Sequence, residues 1–339
     1  MPGAPMTVDT LEDKLSQPSK ADCAFMRRLH GDLLIVGAGG KMGPTMARLA
    51  RRASDLAGTR RRIVAVSRFS SPETVKSLAE SGVEAVSSDL LDRDQLVRLP
   101  ECPNVVFLAG RKFGSTENQP LTWATNVLLP AYVAERYSSS RIVALSSGNV
   151  YPFTTVPANE QTAPAPLGEY AQSVLGRERI FEFFSSLCST PVTLVRLNYA
   201  IDLRYGVLAD VGRCVWERRP VPLSTGAVNV IWQADANSMC LRALELACSP
   251  PRVLNVTGPE VLRVRWIAQR FGEIFGVDPV FEGEERDTAL LSDSSLACQL
   301  LGPPSVTADE MIAMTAEWIR AGQPFLDKPT HFEVRDGRF

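Results

Sequence analysis

Histidine is nearly missing from this chain of 339 residues: only His30 and His331 occur. That supply leaves little support for an imidazole-based zinc site or a Ser-His-Asp triad. His30 precedes the first apolar run and His331 lies in a charged tail, so neither leads as a catalytic candidate. Paired cysteines are missing too. The seven cysteines (Cys23, Cys102, Cys188, Cys214, Cys240, Cys248 and Cys298) form no CxxC motif. They read as reduced, buried thiols of a cytoplasmic protein, with no metal site. No apolar run approaches the roughly 20 residues needed to cross a bilayer. The N-terminus, MPGAPMTVDTLEDKLSQPSK, is polar and carries acids, which argues against a secretory or transit signal. A basic excess is absent as well. With 36 Lys+Arg against 38 Asp+Glu the net charge is −2, so nucleic acid is not an expected partner. What remains is 45 % apolar and 22 % charged, an ordinary globular composition with ample core.

Residues 1–30 read as an N-terminal arm with a helix over Asp22–Leu29. From Asp32 the chain alternates. Short apolar runs at Asp32–Val36, Arg62–Arg68, Val83–Ser87, Asn104–Gly110, Arg141–Ser147 and Val192–Leu197 read as strands. Helices are expected between them at Pro44–Ala53, Pro72–Ser81, Gln95–Leu99, Leu121–Tyr137 and Tyr170–Ser186. Arg48, Arg51 and Arg52 fall on the expected wet side of the first of these. Strands apolar along their whole length imply a parallel sheet covered on both faces. The expectation is a doubly wound α/β Rossmann domain over 31–197, with its site at the carboxyl edge of the sheet. After Leu197 the rhythm breaks. Strand-like Val228–Trp232 and Val253–Val256, with helices at Ala234–Ala247, Val264–Phe275 and Ala308–Ala321, read as a smaller mixed lobe over 198–339 that shapes a substrate pocket.

The firmest motif is Gly37-Ala38-Gly39-Gly40-Lys41-Met42-Gly43, between the first strand and its helix. Glycines let a pyrophosphate reach the backbone, and the helix N-terminus supplies N–H groups and partial positive charge. The strand–turn–helix setting is what gives such a triplet meaning. Sites for NAD usually place an acid at the end of the second strand. Here Ser67-Arg68 stands there, a pair able to hold a 2′-phosphate. NADP is therefore the expected cofactor, NAD the alternative, and a solvated Arg68 the bland reading. Asp89-Leu90, after the third strand, can accept from an adenine amino group, or Asp89 can cap the next helix. Ala109-Gly110, ending the fourth strand, is expected against the same cofactor.

Further motifs follow in order: Ser146-Ser147-Gly148-Asn149-Val150-Tyr151, Tyr170 at a helix start, Asp235 after Val230-Ile231-Trp232, and Leu254-Asn255-Val256-Thr257-Gly258. Together with Gly37, Gly40 and Gly43 in GxxGxxG spacing, they resemble the extended short-chain dehydrogenase/reductase family of NAD(P)-dependent epimerases and dehydratases. The resemblance spans about residues 31–320, with Pro152 where that family has glycine. It implies a Ser/Thr–Tyr–Lys mechanism in which Tyr170 exchanges a proton with a substrate hydroxyl or carbonyl and Ser147 bonds the same oxygen. It also implies a homodimer through the two long helices and a hydroxylated, sugar-like substrate, nucleotide-linked or free.

One departure matters. A tyrosine with its ordinary pKa of about 10 needs a nearby cation to act as a base. The family places a lysine four residues on, and here that position is Val174. Another cation can have taken over: Lys112, at the carboxyl edge after the fourth strand, is the preferred candidate, and Arg177, two turns along the helix, is the other. Alternatively Tyr170 serves only as an acid, or catalysis is lost and a cofactor-binding regulator remains. Asn198, Arg204 and Asn229 are candidate substrate contacts, with Tyr205 nearby. Asn126 matches the family's helix asparagine and reads as structural.

Overall fold

A computed structural model describes residues 6–326, 328 and 330–338. Seven parallel strands form the central sheet: β1 (Leu33–Val36), β2 (Ile63–Ser67), β3 (Glu84–Ser87), β4 (Asn104–Phe107), β5 (Arg141–Ser147), β6 (Val192–Leu197) and β7 (Arg252–Val256). Their spatial order is β7-β6-β5-β4-β1-β2-β3. The order reverses between β1 and β4, so a crevice opens at their carboxyl ends, where doubly wound sheets bind ligands. Register brings the crevice residues level: Val36 pairs with Val66 on one side and Phe107 on the other. Leu33–Val36 is buried at every position, as the unbroken apolar run demands.

Helices α1 (Val8–Leu15) and α2 (Lys20–Arg28) begin the chain, each with a capping box, at Thr7 and Ser19. The expected arm is thus packed structure, apart from residues 1–5, which lie outside the described residues. Leu11 and Leu15 are fully buried in the core of the C-terminal lobe, and Phe25 and Met26 in that of the sheet. Their presence changes α3 (Gly43–Leu56). Arg48 is not on a wet face: it pairs with Glu12 of α1 at 2.9 Å with its side chain 14 % exposed. Arg52 pairs with Asp13 at 2.6 Å. Sequence periodicity sees one helix at a time and cannot show which face a distant segment will cover.

Between β2 and β4 lie α4 (Pro72–Glu80) and α5 (Arg93–Val97). The long helix expected at Leu121–Tyr137 is broken into α6 (Gln119–Trp123), a π turn over Ala124–Leu128, and α7 (Leu129–Arg136). Pro130 is the physical reason. It has no N–H to donate back to Asn126, and the helix widens so that Leu129 N–H donates to the Ala124 carbonyl. Asn126 is thereby fully buried. Helix α8 (Gly168–Cys188) runs parallel beside this unit, with Trp123 against Glu169 and Asn126 against Ser173, and carries Tyr170.

The chain then leaves the sheet and returns to it. Helix α9 (Val207–Trp216) belongs to the second lobe, whose core joins Val207, Val211, Phe271 and Trp318. Helix α10 (Gln233–Arg242) packs against the sheet through Ala236, Met239 and Leu241. Strand β7 pairs in parallel with β6, so Val253–Val256 extends the Rossmann sheet and is not part of the second lobe. Val228–Trp232 is not one strand but two short ones, Ala227–Val228 and Ile231–Trp232, with different partners. Helices α11 (Val264–Phe275), α12 (Ser295–Leu301) and α13 (Ala308–Arg320) complete the described elements.

Candidate active site

Two adjoining hollows open at the carboxyl edge. The first is a cradle lined by Gly37, Gly39, Gly40, Ser67, Arg68, Asp89, Leu90, Ala109 and Gly110. Its floor depends on missing side chains. A Cβ on Gly37, where φ is +83°, would lie 2.5 Å from the Ala109 nitrogen; one on Gly43 would lie 2.3 Å from the Ala38 carbonyl oxygen. Gly39 and Gly40 are exposed at the rim. Helix α3 begins there after its N-cap Met42, with Pro44 next to Gly43 and no side-chain cap. That combination fits a dinucleotide pyrophosphate. Arg68 is exposed at the rim, and among the described residues no carboxylate pairs with it. Asp89 has a structural task as well: its carboxylate accepts from Leu91 N–H at 3.1 Å.

The second hollow is lined by Lys41, Met42, Lys112, Ser146, Ser147, Asn149, Tyr170, Asn198, Tyr199, Tyr205 and Thr330. Ser147, ending β5, and Tyr170, opening α8, line this hollow together. The Ser147 hydroxyl is also held by Asn149, 2.9 Å from its side-chain oxygen. Burial pushes the Tyr170 phenol above the ordinary tyrosine range, while Arg177 and Ser147 oppose that shift. Lys112 stands 5.9 Å from the Tyr170 ring centre and donates to the Thr330 carbonyl at 3.3 Å. Burial brings its ammonium down to about 8. Lys41, expected at the phosphates, instead turns into this second hollow. Its Nζ donates to the Ala200 carbonyl at 2.7 Å and lies 4.2 Å from the Tyr205 ring centre. Desolvation lowers it to about 8 too.

Val174 is buried with Val150, Tyr151 and Ala158, in apolar packing that includes Tyr170. The place of the expected lysine is therefore filled by core. Beneath the site runs a buried polar chain. Ser146 donates to Glu178, which pairs with Arg196 through contacts of 2.9 and 2.7 Å. Arg196 donates to the Tyr151 hydroxyl at 2.9 Å, and that hydroxyl donates to Asn255 at 2.9 Å. This chain ties β5, α8, β6 and β7 together under the catalytic cavity. Sequence reading passed over Glu178. The signal was present: one carboxylate on the buried side of α8, and one arginine in the otherwise apolar run of β6.

The C-terminal segment supplies another wall. Thr330 donates to Asp210 of α9 through its N–H at 3.1 Å and its hydroxyl at 2.6 Å. Arg335 donates to the Thr288 carbonyl and hydroxyl at 2.6 Å each. Of the three expected substrate contacts, only Asn198 lines the cavity, and its amide also donates to the Leu290 carbonyl at 3.0 Å. Arg204 faces a neighbouring hollow and is bound to Glu12 at 2.6 Å and Asp202 at 2.9 Å. Asn229 is buried away from both hollows, donating to the Glu260 carbonyl at 2.8 Å and accepting from Ser292 N–H at 2.9 Å. Polarity in a loop marked these two, but their polar atoms are used to hold loops in place. Among the described residues no cluster of His, Cys, Asp or Glu could hold a metal ion.

Comparison with curated proteins gives no match. Solved structures share the architecture. MoeE5 in complex with UDP-glucose and NAD has 21 % identity and a TM-score of 0.70, covering 86 % of this chain and 99 % of its own. The UDP-glucose 4-epimerase of Thermotoga maritima has 20 % identity and a TM-score of 0.71, with the same coverage. The UDP-glucuronic acid 4-epimerase of Bacillus cereus, in complex with NAD, has 18 % identity and a TM-score of 0.72, again covering 86 % and 99 %. Residues 33–200, which hold the cradle, Ser147 and Tyr170, match the family described as NAD dependent epimerase/dehydratase. Sequence motifs, sheet order and the glycine-floored crevice agree with the NAD dependent epimerase/dehydratase family over residues 33–200.

Proposed function

We propose that this protein is an NAD(P)-dependent oxidoreductase or epimerase of a hydroxylated, sugar-like substrate. The observation that carries the reading is the Ser147–Tyr170 pair, which faces a cavity opening directly beside the glycine cradle. Gly37, Gly39, Gly40 and Gly43 would accommodate the pyrophosphate, Asp89 and Leu90 the adenine edge, and Ala109 and Gly110 the far side of the dinucleotide. Ser67 and the unpaired Arg68 favour NADP over NAD. When bound, the nicotinamide supplies or takes up the hydride. Ser147 orients the substrate oxygen, and Tyr170 holds the proton that this oxygen gains. Because burial keeps the phenol protonated near neutrality, Tyr170 is suited first to the acid role, as in reduction of a carbonyl. Lys112, beside the ring, adds positive charge to the same corner. The relatives in hand act on or hold UDP-sugars, which makes nucleotide-linked sugars the first class to assay.

The test is Tyr170→Phe. Turnover should fall by about 10²–10⁴-fold, the usual reach of a positioned acid–base group, with cofactor affinity nearly unchanged. Unchanged turnover would remove Tyr170 from the mechanism. The apolar packing of Val174 favours a second reading, a non-catalytic NAD(P)-binding regulator. In that reading cofactor binds and no sugar alters its redox state. We also propose a homodimer through α7 and α8, the second of which exposes Phe183 and Leu187 at 58 % and 65 %. All seven cysteines are free thiols, in keeping with a reducing compartment such as the cytoplasm.

A further inference from the structure

Three arginines are buried among the described residues: Arg61, Arg177 and Arg196, at 8 %, 5 % and 3 % exposure. A buried cation is unfavourable unless something negative answers it. Arg196 is answered by Glu178. Arg61 closes the end of α2, donating to the carbonyls of Met26, Leu29 and Gly31, where a helix C-terminus carries partial negative charge. Arg177 has neither arrangement. Its Nη1 donates to the Leu145 carbonyl at 2.7 Å and its Nη2 to the Asn126 side-chain oxygen at 2.9 Å. Its Nε has no partner among the described residues. Neighbouring Glu178 is turned toward Arg196. The hydrogen-bond acceptors of Arg177 are thus both neutral, with the Phe107 ring 5.5 Å from the guanidinium carbon.

The surroundings are built to keep it there. Asn126 is fixed by accepting from Arg111 N–H at 2.8 Å and by donating to the Arg111 carbonyl and the Ser173 hydroxyl, each at 2.9 Å. Gly110, on the cradle wall, leaves room for the guanidinium: a Cβ there would lie 2.5 Å from Nη2. Arg177 follows Tyr170 by seven positions, which puts both on one face of α8. Helical side chains lean toward the N-terminus, so Arg177 reaches back toward the tyrosine. Among the described residues, the groups facing Tyr170 include Ser147 from β5, Lys112 from the loop after β4, Tyr205 ahead of α9 and Arg177 from α8. Lys41 and Tyr199 line the same cavity. Of the cations, burial lowers the ammoniums of Lys112 and Lys41 to about 8, whereas a guanidinium holds its proton far more firmly than an ammonium.

We propose that Arg177 is the positioning cation of this site: a guanidinium anchored on Leu145 and Asn126 beneath Gly110, whose charge supports proton release from Tyr170 in place of the lysine absent at Val174. The charge has moved about one helical turn, from under the phenol to under the cradle wall. The inference rests on Tyr170 being the acid–base group. Its test is a pH titration of tyrosinate absorbance, with the Tyr170 contribution obtained by subtracting the Tyr170→Phe protein. Arg177→Gln should raise the Tyr170 titration by about one unit or more. Arg177→Lys should restore most of that shift. Asn126→Asp, which keeps Arg177 but neutralises it, should produce a similar rise even if Arg177→Gln does not fold. Lys112→Met should leave the titration within a few tenths. An unchanged Tyr170 titration in the Arg177 and Asn126 variants, or a larger shift in Lys112→Met, would overturn the proposal. If Tyr170→Phe retains full turnover, the catalytic reading fails instead.

Discussion

The glycine cradle and the cavity that holds Ser147 and Tyr170 share one sheet edge, but they are made in different ways. The cradle is made of backbone. It comes from the ends of β1, β2 and β4, held level by strand register, with glycines where side chains would collide. The cavity is made of side chains drawn from six separate stretches, from Lys41 in the glycine loop to Thr330 near the C-terminus. A backbone site tolerates drift in everything except its glycines. A side-chain site depends on each contributing stretch, and at Val174 that stretch supplies apolar packing.

The difference can be pressed experimentally, beginning with the support of the cavity. Glu178→Ala leaves Arg196 buried without its anion and should cost about 3–5 kcal/mol of stability, read as denaturant or thermal unfolding. A loss below about 1 kcal/mol would mean that the pair behaves like a surface ion pair and does not brace the cavity. In the cradle the expected effect is smaller and splits by position. Gly37→Ala places a side chain at φ +83° and 2.5 Å from Ala109 nitrogen, so it should lose roughly 2–4 kcal/mol of stability along with dinucleotide binding. Gly40→Ala has no atom nearer than 3.5 Å and should change stability by only about 0.5 kcal/mol while still weakening the cofactor. If both variants unfold alike, the cradle is a folding element before it is a binding one. The smallest effect is at the rim. Arg68→Ala should weaken NADP by about ten- to a hundredfold and NAD hardly at all, measured by titration with each. Equal effects on both would refute the phosphate role of Arg68.

Legibility followed the same division. The order of strands and the glycine loop could be read because they depend on local chemistry: apolar runs, turns and a helix start. The placement of Ser147 and Tyr170 at the sheet edge could be read because motif and element boundary coincide. What could not be read depended on distant partners. The cover of Arg48 by α1 is one case, and the return of Arg252–Val256 to the sheet another. Lys41 shows the limit most clearly. Its place in the glycine loop points to phosphates, but the Ala200 carbonyl and the Tyr205 ring draw its ammonium into the catalytic cavity. Arg204 and Asn229 fail in the opposite direction: polar residues in a lobe expected to hold substrate are used up as loop anchors.

The account stands on Tyr170 working beside a bound nicotinamide, and one measurement addresses that directly. The purified protein is loaded with NADPH or NADH and mixed with a panel of nucleotide-linked and free keto-sugars while reduced-nicotinamide absorbance is followed. The account predicts that at least one sugar consumes the reduced cofactor with the native protein, and that the same sugar consumes it at least about 10²-fold more slowly with Tyr170→Phe. Cofactor that binds tightly but is oxidised by no sugar, or is oxidised equally fast without the Tyr170 hydroxyl, would contradict it.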